Sequence, residues 1–164
     1  MYYKQSTLER LEGCKKIINK KELMSYQNRV IVSGSKSMGY NLSYDFFKSY
    51  LLELFGNDIT NENKKQIGFI TGLEISGAES FIIKFCKEYD LAICPFELDW
   101  ENKKGKIDKA SYFKRNEEML IYSNRLVSFF DGESKGVQHL LDLAESSKLK
   151  RNIIRITKEE NLSG

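Results

Sequence analysis

A chain of 164 residues with 41 % hydrophobic and 30 % charged side chains is sized for one folded domain and is too apolar to be disordered. Its net charge of +3, with acids and bases interspersed, is too mild to demand nucleic acid but would not repel a phosphate. The longest apolar stretches, 81–85 (broken by Lys84) and 91–96, fall far short of the roughly 20 residues that cross a membrane. The opening MYYKQSTLERLEG has no apolar core and no small-residue cleavage site, so no signal peptide and a cytoplasmic location are expected.

Three cysteines, Cys14, Cys86 and Cys94, share no CxxC spacing and read as free thiols. With His139 the single histidine, there is almost no material for a zinc site or a Ser-His-Asp triad, and neither metal nor cofactor is expected.

In chain order, residues 1–28 carry Leu8, Leu11, Ile17, Ile18 and Leu23 at loose helical spacing broken by Gly13. They predict a short helical extension that packs on the domain or on a partner chain. RVIVS, 29–33, is a β-branched strand that ends in GSKSMGY. A helix follows over 42–55, with Leu42, Phe46, Tyr50, Leu51, Leu54 and Phe55 on one stripe and Asn41 or Ser43 as its cap. Residues 56–65 read as a polar surface connection.

A second strand opens at Ile67 and breaks at a turn holding Gly72 and Gly77, with a helix behind it over 80–89. LAICP, 91–95, is a third strand, followed by an irregular loop with Trp100 and then a helix over 108–122. LVSFF, 126–130, is a fourth strand. It breaks at DGESKG before a helix over 137–147 that turns Leu140, Leu141 and Ala144 inward. NIIRI, 152–156, is a fifth strand, and 157–164 is a polar tail.

Five short apolar strands alternating with helices predict an α/β fold, a mostly parallel sheet covered on both faces with right-handed crossovers. No linker, repeat or second domain interrupts the pattern. In such a sheet ligands sit beyond the carboxyl ends of the strands. Three of those ends carry glycine: GSKSMG, TGLEISG and DGESKG. A strand that stops at glycine and restarts as a helix presents free N–H groups to an anion, so a phosphate-bearing ligand is expected. Neither a P-loop nor GxGxxG is present, against a nucleoside triphosphatase and an NAD-dependent dehydrogenase.

The candidate ligand contacts follow from these loops. After strand one stand Gly34, Ser35 and Lys36, the lysine as a counter-charge or a solvated turn residue. Glu79, at a helix start, accepts hydrogen bonds from a ribose diol, acts as a general base, or is simply a helix-start acid. Arg115 with Asn116 forms an anion clamp or lies on a solvated face. Asp131 holds its turn by an Asx bond. Ser134, Lys135 and Gly136 aim N–H groups at a phosphate, or Ser134 merely caps the helix. Trp100 stacks on a base or anchors its loop, and His139 is a surface or satisfied histidine.

Five stretches in matching order make the chain recognisable. They are RVIVSGS at Arg29–Ser35, TGxxxxGAE at Thr71–Glu79, Trp100, Arg115-Asn116 with Met119, and FFDGESKG at Phe129–Gly136. Over 29–156 the chain resembles the SLOG superfamily, Rossmann-like proteins related to the LOG enzymes and to DNA-processing protein A, and most nearly the YspA/YpsA-like branch. The resemblance implies a Rossmann-like three-layer sandwich with strand order 3-2-1-4-5 and a nucleotide-derived ligand. It places Gly72, Gly77, Gly132, Ser134, Lys135 and Gly136 on the phosphate and ribose side. LOG enzymes carry a catalytic glutamate in a PGGxGTxxE stretch; DGESKGVQHL has no acid at that place.

The expected function is therefore to bind an ADP-ribose-like molecule or a nucleoside phosphate as a sensor or sequestering protein. The alternative is a nucleotide N-glycoside hydrolase with Glu79 as base or nucleophile and Arg115 as clamp. A single-stranded DNA binder ranks third, because no arginine-aromatic stripe accompanies the modest charge. A homodimer or higher oligomer is the expected assembly, with no membrane partner and nucleic acid not favoured.

Overall fold

The computed structural model describes residues 3–35, 42–60, 66–74, 77–98 and 109–156. Strands β1 (Asn28–Gly34), β2 (Ile67–Thr71), β3 (Ala92–Pro95), β4 (Arg125–Phe130) and β5 (Lys150–Arg155) form one parallel sheet in the order β3-β2-β1-β4-β5. This is the Rossmann-like architecture expected of the strand–helix alternation. Central strands β1, β2 and β4 bury nearly every residue, which is why they read as continuous apolar runs rather than as an alternation.

Helices α3 (Tyr44–Thr60) and α4 (Gly77–Tyr89) pack on one face around Val30, Val32, Phe69 and Phe129. Helices α5 (Lys109–Tyr122) and α6 (Lys135–Ser146) cover the other, around Ile31, Ile70, Leu126 and Phe130. Phe47 is the hub of the first core, with ring centroids 5.1 Å from Phe129 and 5.6 Å from Phe81.

Three expectations need correction. The α3 stripe is Phe47, Leu51, Phe55 and Ile59, so Phe46 is about half exposed, and the helix runs through Gly56 to Thr60 where a surface connection was expected. Its cap is Ser43, whose Oγ accepts the Phe46 N–H at 3.1 Å. Strand β5 is an exposed edge rather than a strand covered on both sides: Lys150, Arg151, Ile153 and Arg155 all face solvent. Helices α4 and α6 begin at Gly77 and Lys135, earlier than the apolar spacing alone indicated.

The N-terminal segment is two short helices, α1 (Gln5–Arg10) and α2 (Lys20–Leu23), joined by an extended piece. Asn19 and Glu22 close α2 with a reciprocal capping box. Between the helices, Ile18 N–H donates to Ile93 O and Ile93 N–H to Lys16 O, both at 3.0 Å, which covers the outer edge of β3. Leu11, Ile18 and Leu23 enter the core. Among the described residues no helix is long and apolar enough to cross a membrane.

Candidate functional site

The strand order reverses between β1 and β4, so their carboxyl ends flank the crevice in which this architecture seats ligands. Ser35 ties the two ends together. Its N–H donates to Phe129 O at 3.1 Å, and its Oγ accepts the Asp131 N–H at 3.0 Å. Asp131 Oδ1 in turn accepts the N–H groups of Glu133 and Ser134 at 2.8 and 2.9 Å, an Asx-type turn that leads into α6. One residue earlier, Gly34 lets α4 start directly on the end of β1. A Cβ there would lie 2.6 Å from Ala78 Cβ and 3.2 Å from Phe129 O.

The loop between β2 and α4 is held from inside. Glu79 is 3 % exposed, and its Oε1 accepts the Gly72 N–H at 3.0 Å and the Thr71 hydroxyl at 3.3 Å. Burial, and then the Glu74 charge, push its carboxyl up to about 7, against the opposing pull of Arg115 and the two hydrogen bonds. Arg115 is 7 % exposed. It donates to Gly72 O at 2.7 Å, pairs with Glu74 Oε1 at 2.6 Å and lies over the Tyr112 ring. Its buried Nε has no acceptor among the described residues. Leu73, between the two arginine-bound residues, is left-handed at φ 62°. Arg10, from α1, donates to the Leu73 carbonyl and to Glu74 O, so both sides of this strained turn are gripped by guanidinium groups.

These elements enclose a cavity of about 400 Å³ at the reversal point. Ser33 and Gly34 form its floor; Glu74 and Glu79 enter from the second loop. Helix α5 contributes Tyr112, Phe113, Arg115, Asn116 and Met119, and α6 contributes Ser134, Gly136, Val137 and Leu140. Ser134 stands at the cap position of α6, but its side chain makes no cap hydrogen bond among the described residues. The Ser134 carbonyl accepts the Gln138 N–H, so the N–H groups of the first turn have no partner within the helix and point along its axis at the cavity edge. Chemically the site offers partial positive charge at one end, a guanidinium and a buried carboxyl at another, and apolar walls between.

Of the residues that the sequence nominated, Gly34, Glu79, Arg115, Asn116, Ser134 and Gly136 meet around this cavity. Others do not. Gly72 spends its N–H on Glu79 and its carbonyl on Arg115, and lines a neighbouring cavity of about 310 Å³ beside α1. Gly77 is exposed on the first turn of α4 and borders neither cavity. Ser35 and Asp131 are occupied in the turn that joins β1 to β4. Gly132 and Lys135 border a separate groove with His139. Lys36 and Trp100 lie outside the described residues. Sequence reasoning missed Tyr112 and Phe113 as site residues, although Tyr112, Arg115, Asn116 and Met119 follow the spacing of one helix face. Ser33 and Glu74 had no signal at all.

Fold and crevice together define a Rossmann-like α/β protein with a cavity at its topological switch point. No protein-family model matches the chain, and no curated protein matches it. Among solved structures it is similar to DNA processing protein A from Streptococcus pneumoniae, with a TM-score of 0.60 and 13 % identity over 88 % of this chain. It is also similar to DNA processing protein A from Helicobacter pylori, whose single-stranded DNA binding mode that structure describes, with a TM-score of 0.47 and 15 % identity over 87 % of this chain. The chain spans 55 % of the first neighbour's length and 70 % of the second's. The first likeness agrees with the Rossmann-type fold that the SLOG resemblance implied, and it concerns the fold alone.

Proposed function

We propose that this protein binds a nucleotide-derived small molecule, an ADP-ribose-like compound or a nucleoside phosphate, in the switch-point cavity. The observation that carries the reading is the meeting of the first turn of α6, which the Ser134 side chain does not cap, with the buried Arg115-Asn116 pair around one mostly apolar enclosure. In this reading the phosphate rests on the α6 N-terminus and the base lies between Met119, Val137 and Leu140. The crowded Gly72 turn, with both backbone groups already bonded, is a wall rather than a phosphate cradle.

Gly136→Asp tests this directly. A Cβ at Gly136 meets nothing within 4 Å, and an acid in the first turn stabilises a helix while repelling an anion. Calorimetric titration with AMP and with ADP-ribose is expected to show binding in the parent and a loss of about tenfold or more in the variant, with the melting temperature unchanged or raised. Unaltered affinity would remove the phosphate from α6. Release of free base during the titration, lost in Glu79→Gln, would shift the reading to hydrolysis.

Single-stranded DNA is the second reading. It draws on the fold likeness to a protein named for DNA processing and on one observation in this chain, the exposed edge strand β5 with Lys150, Arg151 and Arg155 around Ile153. Oligonucleotide affinity that falls steeply with salt, and that Arg151→Glu abolishes, would favour it.

A further inference from the structure

We infer that Asn116 reads a hydrogen-bond donor on the ligand through a side-chain carbonyl that His139 aims into the cavity; this rests on the small-molecule reading above. Asn116 is 7 % exposed and lines the cavity. Its amide Nδ2 lies 3.2 Å from His139 Nδ1. An amide nitrogen only donates, so in this pair Nδ1 is the acceptor. The ring is itself held, its centroid 4.3 Å from that of Phe113. The amide is thereby oriented from behind, and its Oδ1 has no donor among the described residues.

An acceptor fixed in the wall of a mostly apolar cavity favours a ligand that brings a donor to it over one that does not. Met119, Val137 and Leu140 line the same cavity with apolar surface. A flat heterocycle with an amine at its edge satisfies both the walls and the carbonyl; a ribose hydroxyl is the other source of the same chemistry. His139 is then a positioning residue. Without it the amide can turn and offer Nδ2 to a ligand carbonyl instead.

Three nucleotides separate the outcomes in calorimetric titrations: AMP, inosine monophosphate, which carries a carbonyl in place of the amine, and 2′-deoxy-AMP. The parent protein is expected to prefer AMP over one analogue by about tenfold or more. Loss on inosine monophosphate identifies the amine as the donor, and loss on 2′-deoxy-AMP identifies the hydroxyl. Asn116→Leu should abolish that preference by weakening AMP alone. Asn116→Asp, which keeps an acceptor, should retain it and serves should the leucine variant fail to fold. His139→Leu should bring the ratio near one while affinity for the analogue holds or rises, a change that mere loosening of the fold does not produce. Equal binding of all three nucleotides by the parent, or a preference that survives Asn116→Leu, overturns the inference and leaves the small-molecule reading standing. Absence of binding by all three overturns both.

Discussion

Glu79 accepts the Gly72 N–H at 3.0 Å, so the first turn of α4 grips the end of β2 by a bond inside the core. The same carboxyl is pushed up to about 7 by burial and by Glu74. A group that organises the site therefore changes charge near neutrality, unlike an acid on a solvated helix start.

This makes stability depend on pH with a definite sign. The folded carboxyl holds its proton to about pH 7, whereas in the unfolded chain it ionises near its ordinary value of 4.5. Between those limits the folded protein binds more protons, so stability is greatest at the acid end, falls as pH rises through the interval and levels off above about 7. The full change is on the order of 3 kcal/mol. Denaturant unfolding at pH 5 and pH 8 measures it, and Glu79→Gln, which keeps an acceptor for Gly72, should flatten the profile. A slope that survives the substitution belongs to other groups.

Gly34 and Ala78 should couple strongly. Gly34→Ala sets a Cβ 2.6 Å from Ala78 Cβ and is expected to cost about 1–3 kcal/mol by overpacking. Ala78→Gly removes the atom it strikes. In a double-mutant cycle the second change should recover about half of that loss, although glycine in the helix costs something by itself. Additive effects would mean that the Phe129 carbonyl, 3.2 Å away, is the real obstacle.

What could be read in advance follows from which contacts are local. The central strands rest on apolar runs, and the inward Leu140, Leu141 and Ala144 of α6 on periodicity, each within one element, and they stand where those patterns put them. On α3, Leu51 and Phe55 face the core as expected, but Phe46 does not: Phe46 and Phe47 are adjacent aromatics, and only packing against Phe129 and Phe81 chooses between them. Six residues that line the cavity were legible because they stand in the turns and helix starts after strands or on one helix face. Glu74 and the grip of Arg10 were not, since they depend on a segment some 60 residues away along the chain, as the separation of Arg10 from Leu73 shows. Burial of Glu79 was equally hidden, because an acid at a helix start ordinarily faces water.

The Asx turn after β4 should matter for stability through two bonds. Asp131→Ala leaves the Glu133 and Ser134 N–H groups without their acceptor and is expected to cost about 1–2 kcal/mol. Asp131→Asn keeps a side-chain oxygen and should cost well under half as much. Thermal unfolding of both variants checks the ranking; equal losses would show that the negative charge, not the turn, is what Asp131 contributes.

Arg10 links the N-terminal segment to the site, and its removal should be felt in the loop rather than in the core. Leu73 is held left-handed at φ 62°, a conformation that costs a leucine roughly 1–2 kcal/mol and persists only while its surroundings enforce it. Three contacts do so: the Arg10 guanidinium on the Leu73 and Glu74 carbonyls, Arg115 on the Gly72 carbonyl, and Thr71 Oγ1 accepting the Leu73 N–H at 3.1 Å. Arg10→Ala deletes the first and leaves the others. Amide hydrogen exchange at Gly72 and Leu73 is expected to accelerate about tenfold, equivalent to some 1.4 kcal/mol of local opening, while amides of β1 and β4 keep their rates. Uniform acceleration across the sheet would instead place Arg10 among the determinants of global stability, and unchanged loop exchange would show that Arg115 and Thr71 suffice to hold the turn.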